Sequence, residues 1–473
     1  MSLSGGATSN YGTNEKIQER AAGNSVRLTA GIIIADVVGA GILSMGVAVS
    51  KLGLVLGAAG IVVLLAMNVH ISILMWRVHV DFEAVSTYRE LVMEAFSKAP
   101  QAQRSFMRLA TTFCQYTFIF CMLGLYTLSA GKGLGVLFYD VHFCLPTWCF
   151  IACLFLLPFH LTTQKLGHWQ SLIFLNVATI AGTTGIPLIF VWATGVEASR
   201  PTGSVVHLVA ELSAANTFGA LSTFTFAFTS QFMLAEIISE MEDRKEFPKA
   251  YIAMAAPFQA IAFLAVGLIG YYYLGNAISG MIGDNIPFGP TSQVAAICLL
   301  VHMLITYMIK GIVLCRAILQ RVDSDILDSE ASWPTYQSIV LGTVLCSWGL
   351  AQIVPFFSDA VELLGASLTP VACYIIPILM YLRWDRDFKD FAYTSKFEVG
   401  IIILELVFAC SVMVAGTYYS CNAIAEKWTT YGGPFECHCE GMWKTCECSS
   451  GHVGMEQCLA LNSIVSLPIK GPV

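Results

Sequence analysis

Asp36 lies three residues before Gly39-Ala40-Gly41, inside an apolar run that opens near Leu28 and continues to about Val49. An ionisable side chain in such a run is costly to bury and is a candidate for function. It can bind a coupling proton, ligate a cation or accept from an amine. Its plainer alternative is a bond to a neighbouring hydroxyl or backbone group. The small residues after it allow the backbone to unwind and expose amide and carbonyl groups, from Gly39 through Ala40 and Gly41 to Ile42, to a ligand. They can equally serve close packing between helices.

A second polar concentration follows at Ser222, Thr223, Thr225, Thr229, Ser230 and Gln231, interleaved with Phe226 and Phe228 and closed by Glu236. In an apolar medium each hydroxyl needs a partner, so this stretch is expected to face a wet or protein-lined cavity. Gln231 and Glu236 are candidates for gating, Glu236 alternatively for a salt bridge near a membrane surface. Lys310 is expected near the inner end of its span, where its stem can snorkel. Glu405 falls midway along the last apolar run, where it pairs structurally or marks a subunit contact. His70 and His302 can titrate near neutrality, or be hydrogen-bonded core residues. No His-Glu-x-x-His, Gly-x-Ser-x-Gly or phosphate-loop motif occurs, so no enzymatic activity is expected.

The elements that hold these residues are read from composition. Hydrophobic residues make up 56% of the 473 and charged residues 12%, too few charges to cover a soluble surface. The lipid bilayer is the expected solvent and the fold class all-α. About eleven spans are centred near Gly39, Val63, Ile119, Phe155, Ala178, Thr225, Leu264, Ile305, Val344, Ala372 and Leu406. With the N-terminus in the cytoplasm, nineteen of the 25 lysines and arginines fall inside, and only Lys51, Lys132, Arg200, Lys427, Lys444 and Lys470 fall outside. No basic patch interleaved with aromatics suggests a nucleic acid partner.

An odd span count leaves residues 421–473 on the non-cytosolic side. There Cys421, Cys437, Cys439, Cys446, Cys448 and Cys458 read as a disulfide knot, with fifteen possible pairings. A metal site using His438 and His452, or free thiols, are the alternatives. The other cysteines are expected to be packing residues in apolar helices. The chain divides into a cytoplasmic tail, 1–27, a membrane domain, 28–420, and the cysteine-rich tail. The membrane domain divides again at about 28–195, 213–382 and 397–420. Interrupted helices five spans apart are what a five-plus-five inverted repeat brings together at the bilayer midplane.

Four segments carry a resemblance to a known family. Val38-Gly-Ala-Gly-Ile-Leu-Ser with Lys51-Leu-Gly-Leu-Val-Leu-Gly, and Thr87-Tyr-Arg-Glu-Leu-Val-Met-Glu-Ala-Phe, are two of them. Phe226-Ala-Phe with Glu236-Ile, and Leu363-Leu-Gly-Ala-Ser with Ile376-Pro, are the others. In this order and spacing they resemble the amino acid/auxin permease family, whose members share the LeuT-like fold. Met45-Gly46 stands where the family often has Leu-Pro. The resemblance implies a 5+5 inverted repeat plus an eleventh helix and amino acid transport by alternating access, coupled to protons or alternatively to sodium. It places a substrate carboxylate at Gly39–Ile42 and the amine at Thr225–Ser230, with Tyr116 as an aromatic wall and Asp36 as the coupling group. A nutrient sensor on the same fold, or a carrier of auxin-like acids, is the alternative. Both a plasma membrane and a vacuolar or lysosomal membrane suit the charge pattern.

Overall fold

The structure is a computed structural model that describes residues 23–435, except 83, 140, 142, 164–171, 279, 323–332 and 432–433. The described residues are helical, joined by turns and loops. We number the main helices α1 to α11. α1 comprises Val26–Val37, Ala40–Leu43 and Met45–Leu52, followed by α2 (Leu54–Asp81) and α3 (Gln101–Leu137). Then come α4 (Leu145–Leu161), α5 (Ile173–Thr194), α6 in two pieces (Ala214–Ala227 and Gln231–Ser239) and α7 (Arg244–Ala277). The chain ends with α8 (Pro290–Val322), α9 (Trp333–Ile353), α10 (Phe357–Ser367 continuing to Ile376–Lys389) and α11 (Lys396–Trp428).

Length and apolarity alone qualify seven of these as membrane spans: α2, α3, α5, α6, α7, α8 and α11. α9 and the first part of α10 qualify only as a pair, bent by 104°. α4 is shorter, and α1 is interrupted. Of the eleven expected spans, seven pass that test, the interrupted α6 among them, and the others are broken, bent or short. The short ones are what a simple length rule misses.

Burial separates the centre of the bundle from its rim. α3 and α6 bury 83% of their apolar windows, whereas α7 and α11 bury 28%. The outward faces carry Phe106, Leu109, Phe174, Trp192, Ile261 and Leu404, a surface suited to hydrocarbon rather than water. α6 lies against α1 and α10, and α3 against α8. Those contacts require small residues. A Cβ on Gly365 of α10 would stand 1.9 Å from the Ser222 carbonyl oxygen of α6, so only glycine admits that crossing. Between α2 and α3, the helix Tyr88–Ala95 starts with a capping box formed by Thr87 and Glu90.

Cys421 is an exposed free thiol on α11, and the other five tail cysteines lie outside the described residues. Cys144, which precedes α4 and was grouped with the packing cysteines from sequence, is disulfide-bonded.

Candidate functional site

Both polar segments singled out from sequence interrupt their helices. In α1 the last regular bond runs from Val38 N to the Ile34 carbonyl, and Gly39 then turns back to donate to Val37 O at 2.9 Å. Gly39 adopts φ −122° and ψ −134°, outside any helix, before four helical residues resume at Ala40. In α6 the helix stops at Ala227 and restarts at Gln231, leaving Phe228, Thr229 and Ser230 irregular. Backbone unwound in the core of a membrane protein must be satisfied by protein or line a cavity. Here it does both.

Helix α2 supplies the partners for the α6 interruption. Asn68 donates its side-chain amide to the Phe228 carbonyl, and the Tyr251 hydroxyl of α7 donates to Asn68 Oδ1. Gln231 completes the arrangement. Its Oε1 accepts from Ser230 N at 3.2 Å, and its Nε2 reaches Asn68 O and Ser72 Oγ, each at 3.3 Å. Asn68 and Tyr251 have no sequence signal beyond being polar in apolar helices. Gln231, expected as a gate, bonds the backbone of the interruption to α2.

The hydroxyls of the cluster find their partners largely within their own helix, while Thr229 also lines a cavity. Ser222, Thr223, Thr225 and Thr229 each donate to the carbonyl four residues back, at 2.6, 3.1, 2.8 and 3.0 Å. Their hydroxyls are satisfied within α6 and do not require a wet cavity. Sequence alone cannot distinguish a hydroxyl bonded to its own helix from one facing a ligand. Ser230 is the exception: its hydroxyl is buried with no partner among the described residues.

Between the two interruptions lies a small cavity. α1 contributes Asp36, Ala40 and Gly41; α6 contributes Phe226, Thr229 and Phe232. Asp36 Oδ1 meets Lys310 Nζ of α8 at 2.6 Å, and Asp36 Oδ2 is buried with no partner among the described residues. Lys310 is 4% exposed and its ammonium lies 5.6 Å from the centre of the Phe232 ring. The sequence expectation of a snorkelling lysine is thus overturned. Lys310 sits twelve residues before the end of α8 at Val322, about 18 Å of helix, too far for its stem to reach water.

The other candidates distribute as follows. Gly41 fits against α6 so closely that a Cβ would stand 2.5 Å from Ala227 Cα, whereas a Cβ on Gly39 would have nothing nearer than Asp36 O at 3.6 Å. Gly41 is therefore a packing glycine as well as a lining residue, and Gly39 supplies the turn. Ile42, Thr225 and Phe228 are buried beside the cavity without lining it. Tyr116 lies elsewhere, 5.6 Å from the Arg321 guanidinium. The face of α3 that lines the cavity is Phe118, Met122 and Tyr126, spaced by four, and Tyr116 is two residues out of that phase. Glu236 Oε1 accepts from the backbone N–H of Tyr88 at 3.1 Å, tying the second piece of α6 to the helix Tyr88–Ala95.

Ion pairs and backbone bonds close the bundle at both ends. At the end bearing Lys51, that residue pairs with Glu362, Lys132 with Asp284 at 2.5 Å, and Lys427 with Asp359 at 2.6 Å. At the other end Asn24 N donates to Glu240 O at 2.7 Å and Asn24 O accepts from Glu242 N at 3.1 Å, pinning the chain before α1 to the end of α6.

Residues 22–421 match the family described as transmembrane amino acid transporter protein. The N amino acid transport system protein of Neurospora crassa is 22% identical over 252 residues, covering 51% of this chain and 53% of that one. Amino acid transporter AVT3C of Arabidopsis thaliana is 24% identical over 214 residues, covering 44% and 46%. The chain thus spans about half the length of the curated relatives it matches. A crystal structure of MhsT in complex with L-phenylalanine superposes with a TM-score of 0.51 at 15% identity, covering 85% of this chain and 98% of that one. That likeness shows the LeuT-like fold.

Proposed function

The chain belongs to the transmembrane amino acid transporter family, and from that premise we propose that it carries amino acids across a membrane by alternating access, driven by a proton gradient. It is a multi-pass membrane protein among transporters, not enzymes. The observation that carries the proposal is the meeting of two interrupted helices over a cavity holding one acidic and one basic side chain.

The chemistry suits a zwitterion. An α-carboxylate would take the backbone amides freed after Gly39, and an α-ammonium would take the carbonyls left by the α6 interruption and the open oxygen of Asp36. Phe118, Phe226 and Phe232 form an aromatic wall, with Phe118 and Phe232 ring centres 4.9 Å apart, and favour an apolar side chain. Lys310 already supplies a fixed positive charge beside Asp36. A proton moving to Asp36 would release that bond, whereas a sodium ion would have to enter next to an ammonium. Protons are therefore the proposed coupling ion and sodium the alternative.

The topology proposed places the Asn24 end in the cytoplasm and the Lys51 end outside. The assignment rests on the excess of lysine and arginine at the Asn24 end; the outer lysines Lys51, Lys132 and Lys427 each pair with a carboxylate. The test is uptake of a panel of labelled amino acids into liposomes containing the purified protein, with proton and sodium gradients imposed separately. Uptake driven by neither gradient, for any amino acid, would end the proposal. Uptake with sodium alone would replace the coupling ion.

A further inference from the structure

A second set of ionisable groups lies away from the cavity, where α2, α10 and α11 meet. His70 Nδ1 stands 2.8 Å from Glu405 Oε1, and Nε2 of the same ring stands 3.6 Å from Glu398 Oε1. Glu398 also accepts from Arg77 at 2.7 Å, and the Tyr381 hydroxyl lies 3.1 Å from Arg77 and 3.4 Å from Glu398. From α10, Tyr374 is within electrostatic reach of Glu405, its hydroxyl buried with no partner among the described residues.

This set sits deep. His70 is about 16 Å of helix from Asp81, and Glu405 about 14 Å from Lys396, close to half of the ~30 Å hydrocarbon thickness. Glu405 is 1% exposed, and its Oε2 has no partner among the described residues. A carboxylate buried there is tolerated as an anion only beside a cation. Arg77 is already balanced by Glu398. With neutral His70 and ionised Glu405, the four groups would carry one uncompensated negative charge in the membrane. One added proton restores balance, either on the imidazole as an ion pair or on the carboxyl as a neutral pair.

The contacts also lead outward. The Tyr381 hydroxyl lies 3.3 Å from Oγ1 of Thr394, which lies in the turn between α10 and α11 and bonds Asp385 of α10. We infer that His70 and Glu405 form a proton-binding site, separate from the cavity, that exchanges with water at the Asn24 end through Glu398 and Tyr381. One proton is taken from water and returned to it, and no other bond changes. Assigning that water to the cytosol rests on the topology proposed above; the site itself does not. Its occupancy would set how firmly α11, which lies at the rim of the bundle, is held against α2.

The test is the melting temperature of the purified full-length protein from about pH 6 to about pH 9. Losing the proton leaves a buried charge with no counterion. Stability from this site is present at low pH and lost as pH rises past its release. Glu405→Gln removes that charge, so the melting temperature of the wild type should fall relative to the variant as pH rises. Curves that stay parallel overturn the inference. Should Glu405→Gln not fold, the double variant His70→Gln/Glu405→Gln keeps two neutral hydrogen-bonding groups and reads the same difference. As a second readout, amino acid exchange at equal pH on both faces should lose part of its pH dependence in Glu405→Gln. The melting comparison needs no substrate, so it decides the site even if the chain transports no amino acid.

Discussion

Asp36 on α1 and Lys310 on α8 meet at 2.6 Å across the cavity between the interrupted helices, 274 residues apart in the chain. The pair ties the interrupted α1 to a helix that packs on the central α3. Removing one partner strands a buried charge, which costs about 3–5 kcal/mol. Asp36→Ala and Lys310→Met should each lower the melting temperature sharply, and the double variant should regain most of the loss. Asp36→Asn should abolish gradient-driven uptake while leaving some exchange. An unchanged pH dependence of uptake in Asp36→Asn would remove Asp36 from the coupling role.

The two glycines of α1 should separate in mutagenesis. Gly41→Ala places a Cβ 2.5 Å from Ala227 Cα, a backbone contact that cannot yield cheaply, whereas Gly39→Ala meets nothing closer than 3.6 Å. Overpacking of this kind costs about 1–3 kcal/mol. Substrate binding should therefore fail in Gly41→Leu and weaken in Gly41→Ala, with Gly39→Ala far milder. Equal losses at both positions, measured as binding to purified protein, would contradict the packing role.

Asn68 is a prediction that sequence did not offer. It is 0% exposed and supplies the donor for the Phe228 carbonyl, so Asn68→Leu leaves that carbonyl without its donor and removes the Asn68 acceptor of the Tyr251 hydroxyl. Each unmet buried group costs about 1–3 kcal/mol. The expected result is a lower melting temperature and weaker substrate binding, with Tyr251→Phe showing a smaller loss. Retention of full affinity in Asn68→Leu would show that the α6 interruption does not depend on this bond.

At the Lys51 end, the Lys51–Glu362 pair sits over Gly219, where a Cβ would come within 2.8 Å of Lys51 Nζ and 2.7 Å of Glu362 Oε2. Reversing either charge should slow transport by about tenfold, within the ~0.5–3 kcal/mol coupling of contacting residues. The charge-swapped double variant Lys51→Glu/Glu362→Lys should recover. Failure of the swap to recover anything would mean that each residue acts on its own.

Much of this protein was decided by composition and spacing alone. Apolar runs this long can be solvated only by lipid, so the helical membrane fold follows from Leu54–Asp81 and its counterparts without any knowledge of contacts. The interruption at Gly39 was legible because glycine weakens a helix wherever it stands. Asp36 stood out for the same local reason: charge in hydrocarbon is costly.

What remained was settled by which helices touch. Whether Thr225 faces a ligand or its own backbone depends on the space around it, and its bond to Leu221 O is visible only in three dimensions. Lys310 could not be matched to Asp36, nor His70 to Glu405, because partners 274 and 335 residues apart leave no periodic trace in one chain. Tyr116 stands outside the cavity for a related reason. Sequence marks α3 as a helix, but the phase that turns Phe118, Met122 and Tyr126 toward the cavity is fixed by packing against its neighbours. Local physics wrote the helices and their weak points; burial of one helix by another decided which polar groups meet.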